Sequence, residues 1–131
     1  MPLRLRATPQ PYVRKSSKYG VRTDARGKRE RTIDGIVFAS KRECQRYLDL
    51  KLLEQAGQIS GLAMQKKFEL RIVNQHSNRI VGLGHYVCDF DYVTTNDNQW
   101  VIEDVKGFKT PLYRWKKKHF EAQYGLKIRE V

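Results

Sequence analysis

Asp89, Asp104 and Lys106 are the residues of this sequence whose types and spacing best suit chemistry. Two carboxylates brought together offer hard oxygen ligands to a divalent cation, Mg²⁺ or in its place Mn²⁺. A lysine beside them can hold a phosphate or help activate a metal-bound water. Residues 83–94 and 100–106 alternate as strands, joined by the polar loop Thr95-Asn96-Asp97-Asn98. On the first strand Val87, Asp89, Asp91 and Val93 share a face, opposite Tyr86, Cys88, Phe90 and Tyr92. On the second, Trp100, Ile102, Asp104 and Lys106 share a face, opposite Val101, Glu103 and Val105.

The hairpin loop then sets the register. A turn centred between Asn96 and Asp97 places Asp89 opposite Asp104. Centring it one residue onward places Asp91 opposite Asp104 and Asp89 opposite Lys106. The intermediate alignment would set Asp104 beside Phe90 on the apolar face, which burial disfavours. Either remaining register opposes two carboxylates on one face, and directly opposed like charges destabilise a sheet unless something cationic lies between them. A solvated polar strand face with a local Lys–Asp pair accounts for the same spacing.

The elements that must position these residues read as follows. Asp34-Gly35 marks a tight hairpin, and Ser40-Lys41-Arg42-Glu43 is a capping box opening a helix to about residue 56, stopped by Gly57. Glu43 therefore has a complete structural explanation as a cap, although a first-turn position near the sheet could also bring it to the acidic pair. Residues 62–73 read as a strand, with Gln65 a further candidate for the site, and residues 74–79 as a polar turn. Thr110-Pro111 starts a second helix that ends at Gly125, before a final strand over residues 126–131. The order is helix, three strands, helix, strand, an α/β fold around a mixed sheet with a helical crossover to the last strand.

A chain of 131 residues supports one domain with a core, and its 26 basic against 14 acidic residues favour polyanionic partners. The charge is uneven. Residues 1–31, including Arg14, Lys15 and Lys18, read as a flexible basic arm, and residues 32–131 as the folded domain. A second basic cluster, Lys109, Arg114, Lys116, Lys117, Lys118 and His119, lies around the last helix and fits phosphate contacts or a solvated helix face. Trp115, Phe120 and Tyr124 read as core residues, and His76 and His85 as ordinary surface or structural histidines. No apolar run approaches a membrane span. Cys44 and Cys88 lack metal or disulfide spacing, so a reducing compartment is expected.

With these pieces assembled, the sequence resembles the PD-(D/E)XK nucleases. The motif is carried by Tyr86-Val87-Cys88-Asp89-Phe90 followed by Glu103-Asp104-Val105-Lys106-Gly107, with Cys88 where a proline is usual. Phe38-Ala39-Ser40-Lys41-Arg42-Glu43 and Val105-Lys106-Gly107-Phe108 extend the likeness to phage endonuclease I, a Holliday junction resolvase, and to small phage-encoded proteins. The resemblance covers about residues 19–131 and implies a restriction-endonuclease-like core. It implies phosphodiester hydrolysis in which Asp89, Asp104, Glu43 and the Val105 carbonyl hold Mg²⁺ and Lys106 assists catalysis. The implied partner is DNA, branched and cut by a homodimer, in the cytoplasm of a phage-infected or prophage-carrying bacterium. A nicking or restriction-like duplex nuclease, or a basic DNA-binding module without catalysis, remain alternatives on the sequence alone.

Overall fold

Asp34 and Gly35 both adopt left-handed backbone, with φ of 53° and 76°, and so form the tight turn between β1 (Thr32–Ile33) and β2 (Ile36–Val37). The computed structural model describes residues 24–131. Before this hairpin lies α1 (Ala25–Glu30), capped by Asp24, and after it α2 (Lys41–Gln55), capped by the Ser40 side chain accepting from the Glu43 N–H. Residues 24–31, grouped with the arm by their charge, thus include a helix and a buried Arg31. Its guanidinium donates to the main-chain carbonyls of Gly27 and Phe38 at 3.1 and 2.9 Å, a solution that counting charges does not reveal.

The remaining elements are β3 (Ile59–Met64), β4 (Lys67–Val73), β5 (Ile80–Val87), β6 (Phe90–Thr94), β7 (Trp100–Asp104), α3 (Pro111–Tyr124) and β8 (Ile128–Glu130). Strands β3, β6, β7 and β8 form a mixed sheet in that order, antiparallel except for the β7–β8 pair, and α3 makes the crossover to β8. Thr110 caps α3, Pro111 opens it, and Gly125 closes it at φ 67°. The mixed α/β class and the helical crossover to a last strand agree with expectation, whereas five strands lie between α2 and α3 where three were expected.

Strand boundaries differ in an informative way. Residues 62–73 and 83–94, each expected as one strand, are each broken in two. The chain leaves the main sheet at Gln65, whose φ is 56°, runs out and back as a separate β4–β5 ribbon, and returns at Cys88-Asp89. The two breaks are tied together: the Gln65 N–H donates to the Asp89 carbonyl at 3.2 Å, and the Cys88 N–H to the Lys66 carbonyl at 3.1 Å. Cys88 consequently joins a core cluster with Phe68, Ile102, Phe120 and Ile128, away from Phe90 and Tyr92. Those two pack instead with Phe38, Tyr47, Leu50 and Ile59 against α2. The third strand also ends earlier than expected, at Asp104, which leaves Lys106 in the following segment.

Alternation along β7 sends Ile102 to one cluster and Val101 and Val105 to the other, so α2 and α3 cover opposite faces of the sheet. Glu103 points to the α2 side and is fully buried. Arg46 grips both its oxygens, with Nη2–Oε2 at 2.9 Å, and the Tyr92 hydroxyl also donates to it. Removing one partner of such a pair strands a buried charge and costs about 3–5 kcal/mol. Urea unfolding of Arg46→Ala is expected to show a loss of that size. A change below about 1 kcal/mol would show that Glu103 is solvated in solution.

Candidate active site

The break between β5 and β6 sets Asp89 at a strand entry, and the β6–β7 register decides what it faces. Phe90 pairs with Glu103 and Asp91 with Ile102, the first of the two registers allowed by the sequence, and it carries Asp89 to Asp104. The Asp89 N–H donates to the Glu103 carbonyl at 3.1 Å, while its side-chain Oδ2 accepts from the Val105 N–H at 2.7 Å. Gln65, turned by its left-handed backbone, approaches Asp89 Oδ1 with its amide nitrogen at 3.4 Å. The carboxyl is thus fixed from both neighbouring strands.

Asp104 lies beneath it, 1% exposed. Lys106 Nζ pairs with Asp104 Oδ1 at 2.9 Å, and the Tyr86 hydroxyl donates to Oδ2 at 2.7 Å. Lys106 Nζ also stands 4.2 Å from the centre of the Tyr113 ring. Asp104 and Lys106 do point the same way, as their spacing predicts, even though the strand has ended between them.

Glu43 is buried in the first turn of α2, where the Ala39 backbone hydrogen-bonds it. It faces the same cleft, a cavity of about 640 Å³ whose walls include Glu43, Asp89, Lys106, Phe108 and Tyr113. Burial, and then the charge of Asp104, push the Glu43 carboxyl upward, against the opposing influence of Lys106. Asp89 is pushed up to about 7, by burial first, then by the hydrogen bond and charge it shares with Asp104. Each carboxylate this close makes the charged form of the other less favourable. Tyr86 is raised as well, chiefly by burial and then by Asp104. Among the described residues no three acidic, histidine or cysteine side chains converge closely enough to cage an ion. Asp89 and Asp104 form the close pair, and Glu43 interacts with both through its charge.

The basic residues expected to meet phosphate divide into several groups. Lys109 and Lys117 both pair with Glu130, the former at 2.7 Å, and Lys116 donates to the His85 carbonyl at 3.0 Å. Arg114 and Lys118 are exposed on α3, while Arg14, Lys15 and Lys18 lie outside the described residues. His76 sits in the β4–β5 turn, where its N–H meets Asn74 Oδ1. Phe120 is a core residue as expected and Tyr124, partly buried, packs against its cluster, but Trp115 is 52% exposed, because its helical position turns away from both clusters. Sequence reading missed Tyr86 and Tyr113 as site residues. Tyr86 was assigned to the face opposite Asp89, and only the strand break at Cys88 brings it round to Asp104.

A raised Asp89 favours the folded state fully below the ordinary carboxylate range, about pH 4, and this contribution is lost as pH rises to about 7. Carbon-detected NMR of the side-chain carboxyls is expected to show an Asp89 midpoint near 7, lowered in Asp104→Asn. A midpoint in the ordinary range in both proteins would mean that neither burial nor Asp104 raises Asp89.

Residues 22–130 match a family described as "Protein of unknown function (DUF1064)". No curated protein and no solved structure matches the chain. The matched span contains Glu43, Asp89, Asp104 and Lys106 together with every strand that positions them, and the chain belongs to the DUF1064 family.

Proposed function

We propose that this protein is a metal-dependent endodeoxyribonuclease of PD-(D/E)XK type with a restriction-endonuclease-like core. The observation that carries the reading is the face-to-face placement of Asp89 and Asp104, with Asp89 and Lys106 in the wall of an open cleft and Asp104 buried. The donor set is all oxygen, which suits Mg²⁺ or Mn²⁺. A cation held by these acids would offset the negative charge that they bring together. Asp89 and Asp104 would hold the ion, with Glu43 and the Val105 carbonyl as further oxygen donors. When bound, such an ion lowers the pKa of its water and stabilises charge on the attacked phosphate and leaving oxygen.

The protein's own residues have distinct tasks in this reading. The Val105 N–H and Gln65 orient Asp89, and the Tyr86 hydroxyl orients Asp104. Lys106, carried at the cleft wall, offsets negative charge that develops on the phosphate. Glu43, buried with its carboxyl raised, is placed to orient water across the cleft. The net charge of +12 supports a nucleic-acid substrate. The family resemblance extends the proposal to branched DNA, a homodimer and a bacterial cytoplasm.

One observation favours a second reading, a basic DNA-binding module without catalysis. Asp104 is nearly inaccessible and already engaged by Tyr86 and Lys106, as a purely structural carboxylate would be.

The two readings part in a cleavage assay with a labelled four-way junction and a linear duplex of the same arm sequence, in Mg²⁺ or EDTA. Cutting that needs the metal and falls about a hundredfold or more in Asp104→Asn, with DNA binding retained, is the expected result. Tight binding with no cutting in Mg²⁺ or Mn²⁺ would establish the binding module instead. Equal cutting of both substrates would remove the preference for branches.

A further inference from the structure

Three large apolar side chains are left in water in the cleft wall and on the helix that follows it. Phe108, on its wall, is 76% exposed; Leu112 and Trp115, on the first turns of α3, are 63% and 52% exposed. The Trp115 ring leans on His119 at 5.5 Å between centroids. The loop that presents Phe108 is secured on both sides. Arg42 donates to the Lys106 carbonyl at 3.1 Å, the Lys106 N–H donates to the Val131 carbonyl at 3.1 Å, and Lys109 pairs with Glu130. An apolar row displayed from a fixed loop and a helix marks an interaction surface more than a packing defect.

Charge indicates what covers it. Arg114 and Lys118 are exposed on the same helix, and Glu121 is the single acid of α3. A second copy of a chain carrying +12 would bring more positive charge to this surface. A nucleic-acid strand brings phosphates for the basic residues and flat apolar faces for the rings. Those faces are accessible only where bases are unstacked, in single strands, at ends and at branch points.

We infer that Phe108 and Trp115 form a stacking platform for unstacked bases beside the cleft, selecting single-stranded or branched DNA over continuous duplex. Leu112, one turn before Trp115 on α3, adds apolar surface beside it. The inference rests on the nucleic-acid reading above, but not on cleavage.

The test measures binding by the full chain in EDTA, where no cutting interferes. The probes are a fluorescein-labelled oligothymidylate and a duplex of equal length. Phe108→Ala and Trp115→Ala are expected to weaken oligothymidylate binding about tenfold each and duplex binding less than about twofold, with Trp115→Phe retaining most of the affinity. In a Trp100→Phe background Trp115 is the only tryptophan, and its fluorescence should be quenched by oligothymidylate. Equal losses on both DNAs, or no loss on either, would overturn the platform while leaving DNA binding intact. So would a shift from dimer to monomer by sedimentation in Trp115→Ala with oligothymidylate affinity unchanged, since a second copy would then cover the row. A wild-type protein that binds neither probe would remove the nucleic-acid reading itself.

Discussion

Two consecutive buried acids set the conditions for the rest of this structure. Glu103 and Asp104 are 0% and 1% exposed, and strand alternation sends them to opposite sides of the sheet. A buried carboxylate must find a cation and hydrogen bonds or lose its charge. Each acid finds one basic side chain and one tyrosine hydroxyl: Arg46 and Tyr92 for Glu103, Lys106 and Tyr86 for Asp104. The two solutions then diverge. Arg46 forks onto both oxygens and seals Glu103 under α2, whereas Lys106 is a point donor whose acid must also face Asp89. One site is thereby closed and the other is left with an excess of negative charge beside a cleft. That excess, more than the presence of acids as such, makes the second site a candidate for chemistry.

The β4–β5 ribbon is part of how the second site is made. Had residues 83–94 continued as one strand, Tyr86 would have stayed on the face away from Asp104. Leaving the sheet at Gln65 and returning at Asp89 rotates Tyr86 into contact with Asp104 and puts Gln65 against Asp89. A two-stranded ribbon is marginal alone and has open edges. Here α3 supports it: Gln123 both accepts from the Arg71 N–H and donates to the Glu69 carbonyl, imitating a strand, and the Tyr124 hydroxyl donates to the same carbonyl. The helix that crosses over to β8 therefore also holds the segment that shapes the acidic pair.

What the sequence made legible follows from local rules. Caps at Ser40 and Thr110, the Asp34-Gly35 turn and the αL stop at Gly125 each depend on residues within a few positions, and each was recoverable. The β6–β7 register was reduced to two alternatives by alternation and burial, and the first of them is the one formed. The strand breaks were not legible. Neither Gln65 nor the Cys88-Asp89 step carries a glycine or proline, and the cause is a long-range exchange of hydrogen bonds between the two breaks. Arg46 was missed for a similar reason: its partner lies 57 residues away, and nothing near Arg46 in sequence announces it.

Charge was the signal most easily overread. A count over the last helix suggests a uniform cationic face, yet the side chains meet different fates there. Glu130, at the end of the final strand, takes both Lys109 and Lys117, and its carboxyl is held below the ordinary range by those two lysines. Lys116 is drawn to a ribbon carbonyl, so the helix's exposed cations narrow to Arg114 and Lys118. Screening by salt acts most strongly on exposed charges of this kind and least on the desolvated pairs. Any affinity this helix has for a polyanion must therefore come from fewer cations than the composition implies. Contacts other than charge, such as those of the exposed rings, gain weight accordingly.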